Sequence, residues 1–447
     1  MSLSTPVQNS MDMHRRLGPV FERRPFGLRF VFVCSGELTA ELSDDHRFAK
    51  HLAPGGVEAL RSLAGDGLFT AFNDEPNWRH AHELLAPAFT QSAMRSYHTT
   101  MLDVTADLLD HWDRRAAANG RVDVAADMTK LTLETIGRTG FSYSFSPPFE
   151  RERAHPFVEA MVGGLAFSQR SALRRLPVVG RYLFPPKAKR QYDLDRAYLH
   201  RVVDEVVRSR QAAGDTGHDD LLELMLRAAR ENDPNRIDDE NIRNQVLTFL
   251  VAGHETTSGA LSFALYYLMR NPEVFARARA EVDAVWGGDD VPAFEQVAKL
   301  RYVRRVLDEA LRLWPTAPAY AREAREDTML GGRYRLRKGD WVLVLLPSVH
   351  RDPPEVWGPD AEVFDPDRFL PERVRARAGG HVYKPFGTGE RACIGRQFAL
   401  HEATLVLGSL LRRFDFDLDP AYRLRIAERL TLMPQNLRPH GVAAHPL

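Results

Sequence analysis

Apolar residues recur along most of the chain at three- and four-residue spacing, with polar residues between them. Segments 91–118, 127–142 and 190–212 show this period and predict amphipathic helices. Two stretches depart from it. Residues 28–33 (LRFVFV) and 340–346 (DWVLVLL) are rich in β-branched and aromatic residues and read as strands, with Gly36-Glu37-Leu38 as a turn after the first. The longest periodic run follows the loop signal Asp233-Pro234-Asn235. Asp238 and Asp239 are its N-cap candidates, and it extends from Glu240 to Arg270, just before Asn271-Pro272. At about 1.5 Å per residue it is roughly 45 Å long. Its centre, Val246 to Gly253, is apolar all round, which predicts a helix crossing the interior. Within it lies Gly253-His254-Glu255-Thr256-Thr257, poor helix material that calls for a functional explanation. The fold class expected is mainly α with a minor β region.

Length alone allows two or three domains in 447 residues. No Gly/Ser linker, repeat or low-complexity tract divides the chain, so a single domain over 1–447 is expected. Lys+Arg and Asp+Glu are both 60, and this zero net charge argues against a nucleic-acid binder driven by bulk charge while leaving room for a local basic face. Two cysteines cannot build a disulfide framework, and the polar first 17 residues lack a secretory signal. The early apolar run 28–33 is far too short to span a bilayer. The expectation is a cytoplasmic protein with no membrane anchor and no nucleic-acid partner. Segment 168–190 is basic with an apolar, proline-broken middle; it reads as a loop between helices, or as a flap over a substrate entrance or a weak membrane or partner contact.

Candidate chemistry starts at Lys384–Gly395, KPFGTGERACIG, which holds one of the two cysteines. Gly387-x-Gly389-x-x-Ala392 imitates a dinucleotide fingerprint, but Pro385 precedes it and no βαβ unit surrounds it. A nucleophilic cysteine needs a histidine base, and with 16 histidines an accidental partner carries no weight. A metal thiolate remains. The apolar spacing after Ile394 puts Cys393 at a helix N-terminus, where free amides favour a thiolate. Gly387, Gly389 and Gly395 permit a tight backbone turn against a flat ligand, and Arg391 supplies a nearby cation. This set suits one axial position of haem, whose propionates need cations.

Three further patterns accompany it. Glu309 and Arg312, at i and i+3, form either a solvated ion pair or, given Leu307, Leu311, Leu313 and Trp314 around them, a buried structural one. Arg368, in Phe364-Asp365-Pro366-Asp367-Arg368-Phe369, is a second arginine available to that pair. In the central helix, Ala252 and Gly253 leave room for something flat, and Glu255 beside Thr256 forms an acid–alcohol pair able to relay protons. His254-Glu255 resembles a zinc-protease helix only until Ser258 stands where a second histidine is required. Trp78 and His82 share one helical face, as donors to an anionic group or as part of an amphipathic surface helix.

In this order the four patterns resemble the cytochrome P450 superfamily of haem-thiolate monooxygenases, from about Gly18 to Pro434. Phe386-x-x-Gly389-x-Arg391-x-Cys393-x-Gly395 matches the haem-binding signature at every fixed position. Residues 64–70 (AGDGLFT), 252–259 (AGHETTSG), 313–319 (LWPTAPA) and 392–395 (ACIG) look like the haem domain of self-sufficient bacterial fatty-acid hydroxylases. The resemblance implies the P450 fold, with the long helix across the haem, and haem b (iron protoporphyrin IX) as cofactor. It implies Cys393 as the iron ligand, Arg391, Trp78 and His82 as propionate partners, and Phe386, Gly387, Gly395 and Ala252 against the haem. Thr256 with Glu255 would manage protons for dioxygen scission. Leu60, Ala64, Phe69, Val251, Ala317 and Leu430 would line the substrate pocket, and Glu309, Arg312 and Arg368 would be structural.

Three departures shape the expected function. The relatives carry a flavin reductase after the haem domain, whereas this chain stops at Leu447, so an external ferredoxin or flavodoxin with its reductase is the expected donor. Arg373, Arg375, Arg377, Lys384 and Arg396 give it a basic docking face near Cys393. The N-terminus is also shorter than in the relatives. Where those enzymes hold a fatty carboxylate with an arginine and a tyrosine, the register of Gly18, Phe21 and Gly27 places Leu28 and Phe32, and Arg29 points to the other face of its strand. A largely neutral, hydrophobic or aromatic substrate is therefore expected, such as a specialised-metabolite intermediate undergoing hydroxylation or oxidative ring closure. A fatty-acid hydroxylase is the alternative. A peroxide-driven peroxygenase would not need the Glu255–Thr256 pair, and a haem sensor would not need oxygen-activating residues.

Overall fold

The computed structural model describes residues 5–24, 29–54, 57–118, 120–145, 148–150, 154–171, 186–214, 217–231, 233–288, 291–352, 354–376 and 382–444. The predicted helices appear at Met94–Ala117, Val124–Phe141 and Pro186–Ala213, and the predicted strands at Phe30–Val33 and Trp341–Leu345. The turn expected at Gly36–Leu38 is instead the start of a short helix, Gly36–Glu41. Ser35 is the reason: its Oγ accepts the Leu38 N–H at 3.4 Å, and its carbonyl accepts the Thr39 hydroxyl at 2.7 Å, an N-cap arrangement. Most of the basic segment 168–190 lies outside the described residues. Among those residues no helix is long and apolar enough to cross a membrane.

The central helix runs Asp239–Arg270 over 32 residues. Asp238 caps it, its Oδ1 accepting the Asn241 N–H at 2.7 Å. Val246, Leu247, Phe249, Leu250, Leu261, Phe263, Leu265 and Leu268 are buried as the pattern predicts. The first third differs, because Asn241, Asn244, Gln245 and Thr248 are buried as well.

The chain forms two compact units built from separated segments. One comprises Met1–His51, Thr105–Met128 and Thr256–Leu447; the other comprises Leu52–Val104 and Thr129–Glu255. The central helix contributes to both.

In the first unit a five-stranded sheet runs in the order Val20–Arg23, Phe30–Val33, Trp341–Leu345, Ala319–Ala324, Phe48–His51. Phe30–Val33 and Trp341–Leu345 pair in parallel, with Phe32 opposite Leu343; the other neighbours are antiparallel. One face buries Val33, Leu38, Phe48, Ala324, Leu336, Val342 and Val344.

The helix Arg301–Leu313 carries Glu309 and Arg312, and both side chains are fully buried. The solvated ion-pair reading therefore does not hold. Arg312 Nε and Nη2 grip Glu309 Oε2 and Oε1 at 2.6 and 2.7 Å, a bidentate geometry, and Nη1 donates to the His350 carbonyl at 3.0 Å. Arg368 approaches Glu309 at 3.4 Å and ties to Asp360 through its carbonyl (2.7 Å) and carboxylate (2.9 Å). His350 carries the network onward. Its Nδ1 faces the Arg312 carbonyl at 3.2 Å, and its Nε2 accepts the Lys384 N–H at 3.1 Å. The first contact makes Nδ1 the protonated nitrogen and leaves Nε2 as the acceptor that Lys384 requires.

In the second unit, Pro156–Ser171 packs against both Pro186–Ala213 and Val57–Ala64. Gly164 permits the latter approach, since a Cβ there would stand 3.2 Å from Leu63 Cδ1. A buried ion pair, Arg210 to Asp220 at 2.9 and 3.1 Å, ties the end of Pro186–Ala213 to the cap of Leu221–Arg230.

Burial and then the Arg312 charge push the His350 imidazole down to about 3. A histidine held neutral this way takes up a proton below about 6.5 only when the chain unfolds, so its contribution to stability is lost as pH falls toward 3. Between pH 7 and 5 the parent should lose about 2 kcal/mol more stability than His350→Asn, at about 1.4 kcal/mol per pH unit. Urea denaturation at both pH values measures it, and parallel losses would refute this role for His350.

Candidate functional site

In the first unit the Lys384–Gly395 segment folds back on itself. Gly387 N–H donates to the Lys384 carbonyl at 3.0 Å, and Cys393 N–H donates to the Phe386 carbonyl at 2.8 Å. This pins Phe386 opposite Cys393. Gly387 and Gly389 take φ values of +75° and +68°, which side-chain-bearing residues rarely adopt. At Gly389 a Cβ would also run into the Asp45 carboxylate, which accepts the Glu390 N–H at 2.9 Å and Arg322 Nη2 at 2.7 Å. The Arg396 guanidinium lies 5.6 Å from the centre of the Phe386 ring.

Cys393 precedes the helix Arg396–Arg413, whose N-cap is Gly395. It is exposed, whereas Cys34 is fully buried with its thiol pushed up to about 12 by desolvation. The protein around Cys393 also raises its thiol by desolvation, opposed by the Gly395 N–H and the Arg396 charge. The expected thiolate-favouring groups are thus present, but in the protein alone desolvation outweighs them. A cation coordinated at the sulfur reverses that balance.

Arg391 has a cationic neighbour that the sequence pattern did not single out. Lys50, on Phe48–His51, has its ammonium held well below the usual range by burial and then by the Arg391 charge. No pattern in the sequence marked it, because the strand and the burial of its neighbours Phe48 and Ala49 are set by tertiary structure. Two cations in a poorly hydrated place favour an anionic group there.

Among the described residues no three His, Cys, Asp or Glu side chains gather as a metal site. A haem, which brings ring nitrogens of its own, would need only the Cys393 sulfur from this segment. One exposed thiol, a glycine turn and the Arg391–Lys50 pair fit a haem with its iron on Cys393 and a propionate on the cations.

In the second unit, Trp78 and His82 stack at 5.1 Å, one turn apart on Pro76–Leu85, so the predicted shared face is real. Along the central helix, Ala252 is exposed and Gly253 and Thr256 partly so, while Val251, His254 and Glu255 are buried. An opening at Ala252 and Thr256, four residues apart, places both on one face. His254 has a packing role: its Nδ1 bonds the Leu250 carbonyl at 2.6 Å, and its own carbonyl accepts the Thr132 hydroxyl at 2.9 Å. Burial lowers its pKa and keeps it neutral.

The predicted pocket residues differ in exposure. Ala317 is exposed, Phe69 and Leu430 are partly so, and Leu60, Ala64 and Val251 are buried. Leu28 lies outside the described residues. Phe32 stacks on Phe21 at 4.9 Å, within an apolar cluster that includes Met11, Cys34 and Leu345. Arg29 is exposed and paired with Glu22 at 2.7 Å. Of the docking cations, Arg375 and Arg396 are exposed, and Arg373 is paired with Asp365 at 3.1 Å. Lys384 is part-buried and its pKa is lowered by desolvation and then by Arg396. Arg377 is outside the described residues.

The family model "Cytochrome P450" matches residues 3–438, and the chain belongs to that family of oxidoreductases. It is 46% identical over 422 residues to bifunctional cytochrome P450/NADPH–P450 reductase 2 of Bacillus subtilis, covering 94% of this chain and 39% of that protein. It is 43% identical over 434 residues to the bifunctional cytochrome P450/NADPH–P450 reductase of Bacillus cereus, covering 97% and 40%. A self-sufficient cytochrome P450 monooxygenase of Oidiodendron maius is 40% identical over 429 residues, covering 95% and 39%. The chain thus spans about 40% of the length of these relatives.

Cys393→Ser should abolish the thiolate-type band of the reduced CO complex while far-UV circular dichroism stays unchanged. Retention of that band would remove Cys393 as the ligand.

Proposed function

We propose that this chain is the haem domain of a monooxygenase that inserts oxygen into a hydrophobic, neutral or aromatic small molecule, by hydroxylation or oxidative ring closure. The observation that carries the reading is the exposed Cys393 thiol, pinned opposite Phe386 in a glycine turn beside Arg391 and Lys50. The chemistry contributed by a thiolate-ligated haem b is reductive activation of dioxygen. The chain supplies the sulfur ligand, the cations for the propionates and the proton path. Thr256 Oγ1, on the open face of the central helix, delivers a proton, with the carboxyl of Glu255, one residue back in the helix, as the group that resupplies it. Trp78 and His82 act as further propionate donors, and Phe69, Ala317 and Leu430 present apolar surface to substrate.

The substrate reading rests on charge. Phe32, at one of the two positions where a carboxylate-holding side chain would be expected, is packed on Phe21, and Arg29 is paired with Glu22. A spectral binding screen of fatty acids against neutral aromatic compounds tests this; preferential binding of fatty acids would overturn it. Electrons reach the haem from an acidic ferredoxin or flavodoxin docking beside Cys393, where Arg375 and Arg396 are exposed.

Thr256→Ala should lower the fraction of reductant recovered in product by roughly 10-fold or more, with hydrogen peroxide rising to match. Full coupling would refute the proton role. With a ferredoxin as donor, turnover should fall steeply as salt rises from 20 to 300 mM, because the docking charges are exposed and screened within about 8–10 Å. Salt-independent turnover would rule out charge-guided docking.

A further inference from the structure

The buried amides at the start of the central helix have a common partner. Asn241, Asn244, Gln245 and Thr248 recur at i, i+3, i+4 and i+7, so they form one polar stripe on a helix otherwise chosen for its apolar residues. The loop Gly65-Asp66-Gly67-Leu68 lies on that stripe. Asp66 Oδ1 accepts Asn241 Nδ2 at 2.7 Å and Asn244 Nδ2 at 2.9 Å, and Oδ2 accepts Asn77 Nδ2 at 2.7 Å. Gln245 Nε2 donates to Asn241 Oδ1 at 2.8 Å, and its Oε1 receives the Leu68 N–H at 3.0 Å. The glycines beside Asp66 make the approach possible. A Cβ at Gly65 would run into the Asn244 amide, and one at Gly67 into Thr248 Oγ1.

One carboxylate therefore joins three segments of the second unit: the loop that continues into Phe69, the helix that carries Trp78, and the helix that carries Ala252 and Glu255. Phe69 itself is clamped on both sides. Leu68 is held by Gln245, and Thr70 bonds back to the Gly65 carbonyl through its hydroxyl at 2.7 Å. Arg61 adds a second clamp, donating to the Thr70 carbonyl at 3.0 Å and to Glu75 Oε2 at 2.7 Å. Phe69 is partly exposed between these two fixed neighbours. Burial alone would raise the Asp66 carboxyl, but the Asn77, Asn244 and Asn241 donors outweigh it and hold it below the usual carboxylate range.

We propose that Asp66 is a specificity-determining positioning residue: by holding Asn77, Asn241 and Asn244 at once it sets where Phe69 stands in the substrate pocket. The proposal rests on the reading of Phe69 as a pocket wall. Asp66 touches neither substrate nor haem in this account. An amide at this position could keep the junction, since a flip of the Asn77 amide would turn its oxygen toward the new NH2, whereas Asp66→Ala removes the acceptors of all three donors.

The test uses haem-loaded protein and two iron-ligating probes of different size, imidazole and 4-phenylimidazole, titrated by the shift of the Soret band. For Asp66→Ala the ratio of the two dissociation constants should change 5-fold or more, in the direction given by Phe69→Ala, while the reduced CO spectrum stays that of the parent. Asp220→Asn, which strips a partner from the buried Arg210 in the same unit, should lower the thermal midpoint without moving the ratio. Where Asp66→Ala yields no folded protein, Asn77→Ala removes one donor of the same junction and carries the same expectation at 2-fold or more. An unchanged ratio in the Asp66 or Asn77 variant, with Phe69→Ala shifting it, overturns this inference alone. No shift with Phe69→Ala removes Phe69 as a wall and the inference with it. No Soret response to either azole in the parent overturns the reading of the site itself.

Discussion

The first unit is organised around a bidentate ion pair with no access to water. Glu309 and Arg312 are both 0% exposed, and charges so placed are tolerable only when their remaining donors and acceptors are satisfied. That requirement recruits the surroundings. The Arg312 guanidinium takes the His350 and Val363 carbonyls, Glu309 takes the Asp365 N–H, and Arg368 fastens Asp360 alongside. Removing one partner of such a pair costs about 3–5 kcal/mol, because the other charge is left buried. His350 then passes the constraint to the Lys384 N–H, three residues before the first positive-φ glycine of the cysteine turn. The placement of Cys393 thus begins at a helix 80 residues earlier in the chain.

The two units handle polarity differently. In the unit that carries Cys393, burial and then the Arg391 charge hold the Lys50 ammonium well below its usual range. At the amide stripe of the central helix the charged group is one carboxylate, Asp66, held by the side-chain amides of Asn77, Asn241 and Asn244. The first arrangement favours an arriving anion. The second is self-contained, as expected of a group that holds backbone in place.

Much of this was legible from periodicity. The central helix, its cap at Asp238 and its stop at Asn271-Pro272 follow from the residues themselves, as do the two strands that meet in parallel in the sheet. The shared face of Trp78 and His82 follows from helical spacing. What was missed has two causes. The Gly36–Glu41 helix depends on the Ser35 cap, a local signal that the sequence does carry. Lys50 depends on a strand whose neighbours come from residues 319–324, and the amide stripe on a loop some 175 residues upstream; these are tertiary partners, of which local pattern carries no record. The Glu309–Arg312 spacing was equally consistent with a solvated pair until burial decided it.

The interleaved make-up of the two units has a consequence for biosynthesis. All segments of the second unit are present once residue 255 has been made, so it can close while the chain is still growing. The first unit cannot. Phe48 pairs with Ala324 and Phe32 with Leu343, so the early strands wait for partners some 280–310 residues downstream. At roughly 5–20 residues per second that delay is about 14–60 seconds. For that time the hairpin of Val20–Arg23 and Phe30–Val33 carries an unsatisfied edge of the kind that recruits other chains. The early hairpin is therefore the part of the sheet that stays unpaired longest, set by the order in which the ribosome delivers its strands.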